Sequence, residues 1–272
     1  MLREARIKSY LSYYGGKSRL AERIASRAPE HTCYCEVFAG AAWVLFEKEE
    51  SKVEIINDIN ADLVTLYRVV KHHLDELIRY FRWILIARDE FERFKIEKPE
   101  TLTDIQRAVR FYYLLKNGYS SIIANPRFSI NTTRRANFNL LRIEEELSAA
   151  HLRLSRVYIE NLHFEAFIRR FDRPHTFFYI DPPYYGHEND YGKGVFSRND
   201  FDRLAVILKG LRGKFILSLN DTKDVRRLFS DFYMEKVRTT YTAASKSNKQ
   251  VMELLITNYR SKRTSGRAVR SL

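Results

Sequence analysis

Two cysteines in 272 residues are too few for a disulfide framework, and Cys33 and Cys35, one residue apart, lack the second ligand pair of a zinc site. On a strand such a pair projects from one face, so it reads as two small buried thiols in a reducing cytoplasm. The histidines form no H-E-x-x-H or related arrangement, which predicts no metal. No run approaches the ~20 apolar residues of a membrane span. The opening "MLREARIKSY" lacks the apolar core of a secretion signal. The expectation is a cytoplasmic protein that is not bound to membranes. A glycine is also missing where one would matter. The stretch "SYYGGKS", residues 12–18, ends like a phosphate-binding P-loop, but Leu11 stands where that loop needs its first glycine. A triphosphate site is thereby disfavoured, and Gly15-Gly16-Lys17 calls for another ligand. Acidic residues are in deficit as well: 34 Asp and Glu against 47 Lys and Arg leave a net charge of +13, which favours a polyanionic partner such as nucleic acid.

What is present is globular in composition, at 45% hydrophobic residues. "TCYCEVF" at 32–38 reads as a buried strand that turns at Ala39-Gly40 into the apolar stretch "AAWVLF". "KVEIINDIN" follows as a second strand ending in Asp58. Strand, glycine turn, helix and strand with a terminal acid make the opening half of a doubly wound α/β domain. Leu63, Leu66, Tyr67, Val70, Leu74, Leu77, Ile78 and Phe81 then follow helical spacing, and another helix is predicted over Thr103 to Lys116. That is too much for one crossover, so residues 62–154 are read as an inserted helical domain, with 1–61 and 155–260 forming the discontinuous α/β domain. Strand signals resume at "RVYIENLHF", "HTFFYIDPPYY", "KFILSLND" and "VMELLITNY". Ser197 and Asp200 form a capping box ahead of a crossover helix. Residues 261–272 are basic and aperiodic, a tail.

The sharpest segment is "FFYIDPPYY" at 177–185. A hydrophobic strand delivers Asp181 at its carboxyl end, where open α/β sheets bind ligands. Pro182 and Pro183 fix φ and remove two donors, giving a rigid turn with outward carbonyls. Tyr184 adds a flat ring. Such a turn offers acceptors and a stacking face but no nucleophile, and it suits a planar ligand bearing an amino group: Asp181 and the Pro182 carbonyl each accept one N–H while Tyr184 stacks.

At this point the sequence resembles the Dam-like, D12 class of DNA adenine-N6 methyltransferases, which use S-adenosylmethionine. Four segments match in order: "YYGGK" at Tyr13 to Lys17, "EVFAGAAWV" at Glu36 to Val44, "NDIN" at Asn57 to Asn60, and "DPPY" at Asp181 to Tyr184; "MELLITNY" is similar to the family's closing strand. The resemblance implies a Rossmann-like methyltransferase sheet, mostly parallel with an antiparallel C-terminal strand, and an inserted helical target-recognition domain. It implies a cofactor site of Tyr13, Lys17, Phe38, Gly40, Asp58, Phe164 and Asp181, with Asp58 on the ribose hydroxyls. Asp181, Pro182 and Tyr184 would be catalytic. The chain departs from the family where Val37 replaces a proline, and where Gly40-Ala41-Ala42 replaces Gly-Ser-Gly. That turn thereby loses two flexible positions.

A base inside a duplex cannot reach such a pocket, so the resemblance also implies an extruded adenine. From Ile105 to Arg142 there is no acidic residue, while Arg107, Arg110, Lys116, Arg127, Arg134, Arg135 and Arg142 are basic and Tyr119, Phe128 and Phe138 lie among them. This region is expected to grip duplex DNA through Lys116, Tyr119, Arg127, Arg134 and Arg135, with "NPRFSINTTRRANFN" as the target loop. "GHENDYGKG" at 186–194 reads as a lid. Two rival readings are methylation of adenine in structured RNA, and a DNA-binding relative without catalysis. The motifs do not distinguish an enzyme paired with a restriction endonuclease from one acting alone.

Overall fold

The run Thr176–Ile180, TFFYI, is buried at every residue, as expected of a strand covered on both faces. In the computed structural model, which describes residues 10–11, 17–119, 125–130, 132–133, 135–188, 192, 194–241 and 249–260, this strand is the middle of a seven-stranded sheet. The strands are β1 (Cys33–Glu36), β2 (Val53–Asn57), β3 (Tyr158–Glu160), β4 (Thr176–Ile180), β5 (Lys214–Asn220), β6 (Tyr233–Tyr241) and β7 (Lys249–Thr257), in the order β3-β2-β1-β4-β5-β7-β6. Pairing is parallel from β3 through β5 and antiparallel at β5–β7 and β7–β6, so β7 alone runs against the other six. β1 and β4 are centre neighbours from which the chain winds outward in both directions, so their carboxyl ends flank a crevice.

Alternate residues of the central strands feed two cores. Cys35, Phe178, Ile180, Phe215 and Leu217 face one side, packed by α8 (Phe164–Phe171), α9 (Arg198–Lys209) and α10 (Lys223–Leu228). Tyr34, Phe177, Tyr179 and Ile216 face the other, and their core runs on without a break into α3 (Ala61–His72), α4 (Leu74–Phe81), α5 (Arg88–Ile96), α6 (Asp104–Asn117) and α7 (Leu140–Leu154). α1 (Ala21–Ala25) and α2 (Trp43–Glu47) complete that layer. Cys33 and Cys35 are both buried free thiols, their sulfurs 3.8 Å apart.

The capping box at Ser197 acts as read: Asp200 accepts the Ser197 N–H (2.6 Å) at the start of α9. Thr103 and Gln106 close a second reciprocal box, at the start of α6. Three expectations change. The apolar periodicity from Leu63 to Phe81 is two helices, because His73 (φ −138°, ψ 39°) leaves helical geometry between α3 and α4. "RVYIENLHF" is a strand only at Tyr158–Glu160; Asn57 clamps the following turn by accepting from the Leu162 N–H (2.8 Å) and donating to its carbonyl (3.0 Å), and Phe164 opens α8. β6, YMEKVRTTY, has no counterpart among the strand signals in the sequence. It is an edge strand of mixed polarity, and it pairs with β7 along its whole length.

Candidate active site

Asp181 leaves β4 at its carboxyl end and is held there from several directions. Ser218 of β5 donates its hydroxyl to Oδ1 (2.8 Å), and the Tyr179 hydroxyl lies 3.1 Å from that of Ser218. Lys17 Nζ stands 3.2 Å from the same Oδ1. It also donates to the Tyr184 hydroxyl (2.8 Å) and to Glu253 Oε1 (3.3 Å), and lies 4.3 Å from the centre of the Tyr184 ring. The Tyr184 hydroxyl donates in turn to Glu253 Oε1. Burial pushes the Asp181 carboxyl up to about 6, with Lys17 pulling it down and Glu253 pushing it up. The turn itself is stapled to β5: Asn220 accepts from the Tyr185 N–H and donates to its carbonyl, both at 2.9 Å. With two prolines supplying no donors, this side-chain amide does for the turn what a ladder bond does for a strand.

Asp181 and Lys17 open into a cavity of about 280 Å³ that runs along the carboxyl ends of β4, β1 and β2. Its apolar wall is Phe38, Trp43, Phe164 and Phe196; Phe38 and Phe164 lie with ring centres 5.8 Å apart and planes 32° from parallel. Asp58 follows β2 at the far end. Its Oδ2 accepts the Gly40 N–H and its Oδ1 the Asn60 N–H, each at 2.9 Å, and the Ile59 N–H also bonds the carboxylate, which with about four lone-pair sites keeps acceptor capacity. Burial raises its proton affinity, while these backbone donors oppose that. The side chain that caps α3 is Asn60, which accepts from the Asp62 and Leu63 N–H groups. Gly40 has φ 49° and its carbonyl accepts the Tyr67 hydroxyl (2.7 Å). Ala42, where the resembled family has glycine, is also left-handed, at φ 51° and ψ 38°. The alanine therefore carries the strain of a left-handed backbone. Glu36 also lines the cavity; it accepts from the Tyr34 hydroxyl (2.9 Å) and the Leu45 N–H (3.2 Å), and burial raises its carboxyl to about 8.

Thus Lys17, Phe38, Gly40, Asp58, Phe164 and Asp181, from five separate parts of the chain, line one cavity. Pro182 is buried beside it, Pro183 lines it, and Tyr184 adjoins Lys17. Tyr13 lies outside the described residues. Ser218, Asn220, Glu253 and Glu36 escaped the sequence reading. All four sit inside quoted segments, but Ser218, Asn220 and Glu253 become meaningful only through contacts across the sheet, and Glu36 through burial against Tyr34 and Leu45.

The basic region divides in three dimensions. Tyr119 (49% exposed), Arg127 and Arg135 are exposed; the Tyr119 N–H donates to the Arg127 carbonyl (2.8 Å), closing a narrow two-stranded stem. Arg134 lies outside the described residues. Lys116 is different: its side chain is 14% exposed and ion-paired with Glu146 at 3.4 Å. Arg107 and Arg110 are paired with Asp62, and Arg142 with Glu146. Phe138 is a core residue packed on Phe81 and Tyr113. The acids that α3 and α7 contribute are invisible in a sequence window that contains none. Of the lid stretch, residues 189–191 and 193 lie outside the described residues. Among the described residues no group of three or more His, Cys, Asp or Glu is placed to hold a metal, and no helix is long and apolar enough to cross a membrane.

The strand order with its reversed seventh strand, and an acid-tipped turn opening into a cleft at the carboxyl ends, define a methyltransferase fold. The family model described as "D12 class N6 adenine-specific DNA methyltransferase" matches residues 13–243, and the chain belongs to that family. Among curated proteins it is 26% identical to the type II methyltransferase M1.LlaDCHI of Lactococcus lactis subsp. cremoris, over 93% of this chain and 96% of that one. It is 29% identical to the type II methyltransferase M.MjaIII of Methanocaldococcus jannaschii, over 93% and 99% respectively. With the DNA adenine methylase of Escherichia coli it shares 26% identity over 91% of this chain and 94% of that one. The protein is an adenine-specific DNA methyltransferase.

Proposed function

We propose that the chain transfers a methyl group from S-adenosylmethionine to the N6 amine of an adenine extruded from a specific duplex DNA sequence, in the cytoplasm of the cell. The observation that carries this reading is the shared cavity: the Asp181 carboxylate and the Asp58 carboxylate lie at opposite ends of one cleft walled by Phe38 and Phe164. The cleft fits the cofactor. Asp58 has acceptor capacity left for the two ribose hydroxyls, Phe38 and Phe164 suit the flat adenine, and Gly40 lets the backbone come close. When bound, the cofactor supplies a methyl already activated by a positive sulfur. The protein's task is then alignment and charge. The Asp181 carboxylate and the Pro182 carbonyl accept the two amino protons, which turns the nitrogen lone pair toward the methyl carbon. Asp181 is ionised at neutral pH, stabilises the developing ammonium and takes the departing proton. The Tyr184 ring stacks on the base, and Lys17 holds Asp181 in its ionised form.

We further propose that residues 62–154 act as the target-recognition part. Tyr119, Arg127, Arg134 and Arg135 would contact DNA there, and Lys116 would serve from behind through its bond to Glu146.

The test is Asp181→Ala with duplex DNA and RNA stem-loops offered in parallel to the wild type. The wild type should methylate the duplex, and the variant should lose transfer while retaining cofactor and DNA binding. Near-normal turnover in the variant would contradict the mechanism, and preference for the stem-loop would contradict the substrate. A wild type that binds DNA without transferring methyl would leave only a silent relative.

A further inference from the structure

The antiparallel strand β7 places one carboxylate where no mechanism step yet uses it. We propose that Glu253 is a positioning residue for methyl transfer, dividing the charge of Lys17 with Asp181 and fixing the ring of Tyr184. The proposal rests on the catalytic reading above.

Glu253 is fully buried, in register with Asn220 of β5 on one side and Val237 of β6 on the other. Its Oε1 accepts from both Lys17 Nζ (3.3 Å) and the Tyr184 hydroxyl. Lys17 is itself buried, at 5% exposure, and stands nearly equidistant from Glu253 and Asp181, at 3.3 and 3.2 Å. Two carboxylates therefore share one ammonium, but only Asp181 lines the cavity. A lysine paired with Asp181 alone would sit over it as a full counter-ion and compete with the amine for its oxygens. Held from behind, it leaves Asp181 negative enough to accept an amino proton. The same Glu253 oxygen anchors the tip of the Tyr184 ring, so the plane on which a base would stack is fixed by a strand 69 residues further on. Charge-assisted bonds of this kind in a buried setting hold geometry better than packing alone.

The charges around Asp181 give the proposal a signature. It is faced by Lys17, by Glu36 of β1, by the Tyr179 hydroxyl of β4, by Ser218 of β5 and by Glu253 of β7. Glu253 raises the proton affinity of Asp181 and Lys17 lowers it. Glu253→Gln keeps the shape and removes the charge, so the acid limb of kcat/KM should move to lower pH, by up to about one unit. Meanwhile kcat should fall about 10- to 100-fold, with the affinities for S-adenosylmethionine and duplex DNA within about twofold of wild type. Lys17→Met should move the limb the opposite way. A purely structural Glu253 would change folded yield and leave the limb in place. Should Glu253→Gln fail to fold, Tyr184→Phe removes one of its two bonds from outside the strand and should lower kcat with cofactor affinity retained. An active wild type whose limb is unmoved and whose kcat is unchanged in Glu253→Gln, or is unchanged in Tyr184→Phe, overturns the proposal. An inactive wild type would instead sink the catalytic reading beneath it.

Discussion

Lowering the pH should switch the enzyme off well before it unfolds. An ordinary aspartate ionises near pH 3.9, so a surface-like Asp181 would leave the rate flat down to about pH 5. Burial places its carboxyl instead at about 6, so roughly nine in ten molecules are ionised at pH 7 and one in ten at pH 5. If the ionised form is the active one, kcat/KM falls about tenfold for each unit below 6. The sign for stability is the reverse. A carboxyl whose folded value is raised binds its proton more tightly in the native state than in the unfolded chain. Protonating Asp181 between about pH 6 and 4 therefore adds stability, on the order of 2–3 kcal/mol, and the penalty returns as pH rises through 6. Loss of rate at pH 5 thus cannot be assigned to unfolding driven by this residue. The assay is single-turnover transfer of labelled methyl to duplex DNA from pH 4.5 to 8, with circular dichroism at each point. A rate that stays level to pH 5 while the fold persists would refute the reasoning.

Asp58→Ala should weaken S-adenosylmethionine binding about 10- to 100-fold by calorimetry and leave DNA affinity unchanged; equal cofactor affinity would remove Asp58 from the site. Replacing exposed Arg127 and Arg135 by alanine should flatten the salt dependence of DNA binding by up to ~0.9 log units for each phosphate no longer neutralised, whereas Arg107→Ala, which leaves Asp62 to Arg110, should not. Arg153, buried against Glu54 and donating to the Leu45 carbonyl at 2.9 Å, ties α7 to β2 and α2. Arg153→Met should cost about 1.5–3 kcal/mol in chemical denaturation, because Glu54 keeps only Lys48 and the Ser51 N–H as partners.

How much of this was legible in the sequence depends on the distance over which each signal acts. β1, β2, β4, β5 and β7 were readable because buried strands are locally apolar, α6 because its apolar residues recur at helical spacing, and α9 because its capping box spans only four residues. The order of Phe38, Asp58 and Asp181 along the chain located the cleft, since motifs at strand ends converge in such sheets. What failed was pairwise and distant. Lys17 and Glu253 are 236 residues apart, and Arg107 meets Asp62 across two helices. No window contains both partners. β6 failed for another reason: an edge strand needs no apolar run, and its alternation of Met234, Lys236 and Arg238 with Glu235 and Val237 follows no single face.

The placement of β7 has a consequence for how the molecule is made. β6 precedes β7 in the chain but touches the sheet only through it, since β7 lies between β5 and β6. On a ribosome, residues 233–241 therefore emerge before their native partner strand and must wait for residues 249–257. The five parallel strands can assemble as synthesis proceeds, but the side of the sheet that carries Glu253 closes last. A nascent chain holding every signature motif would still be an unfinished enzyme.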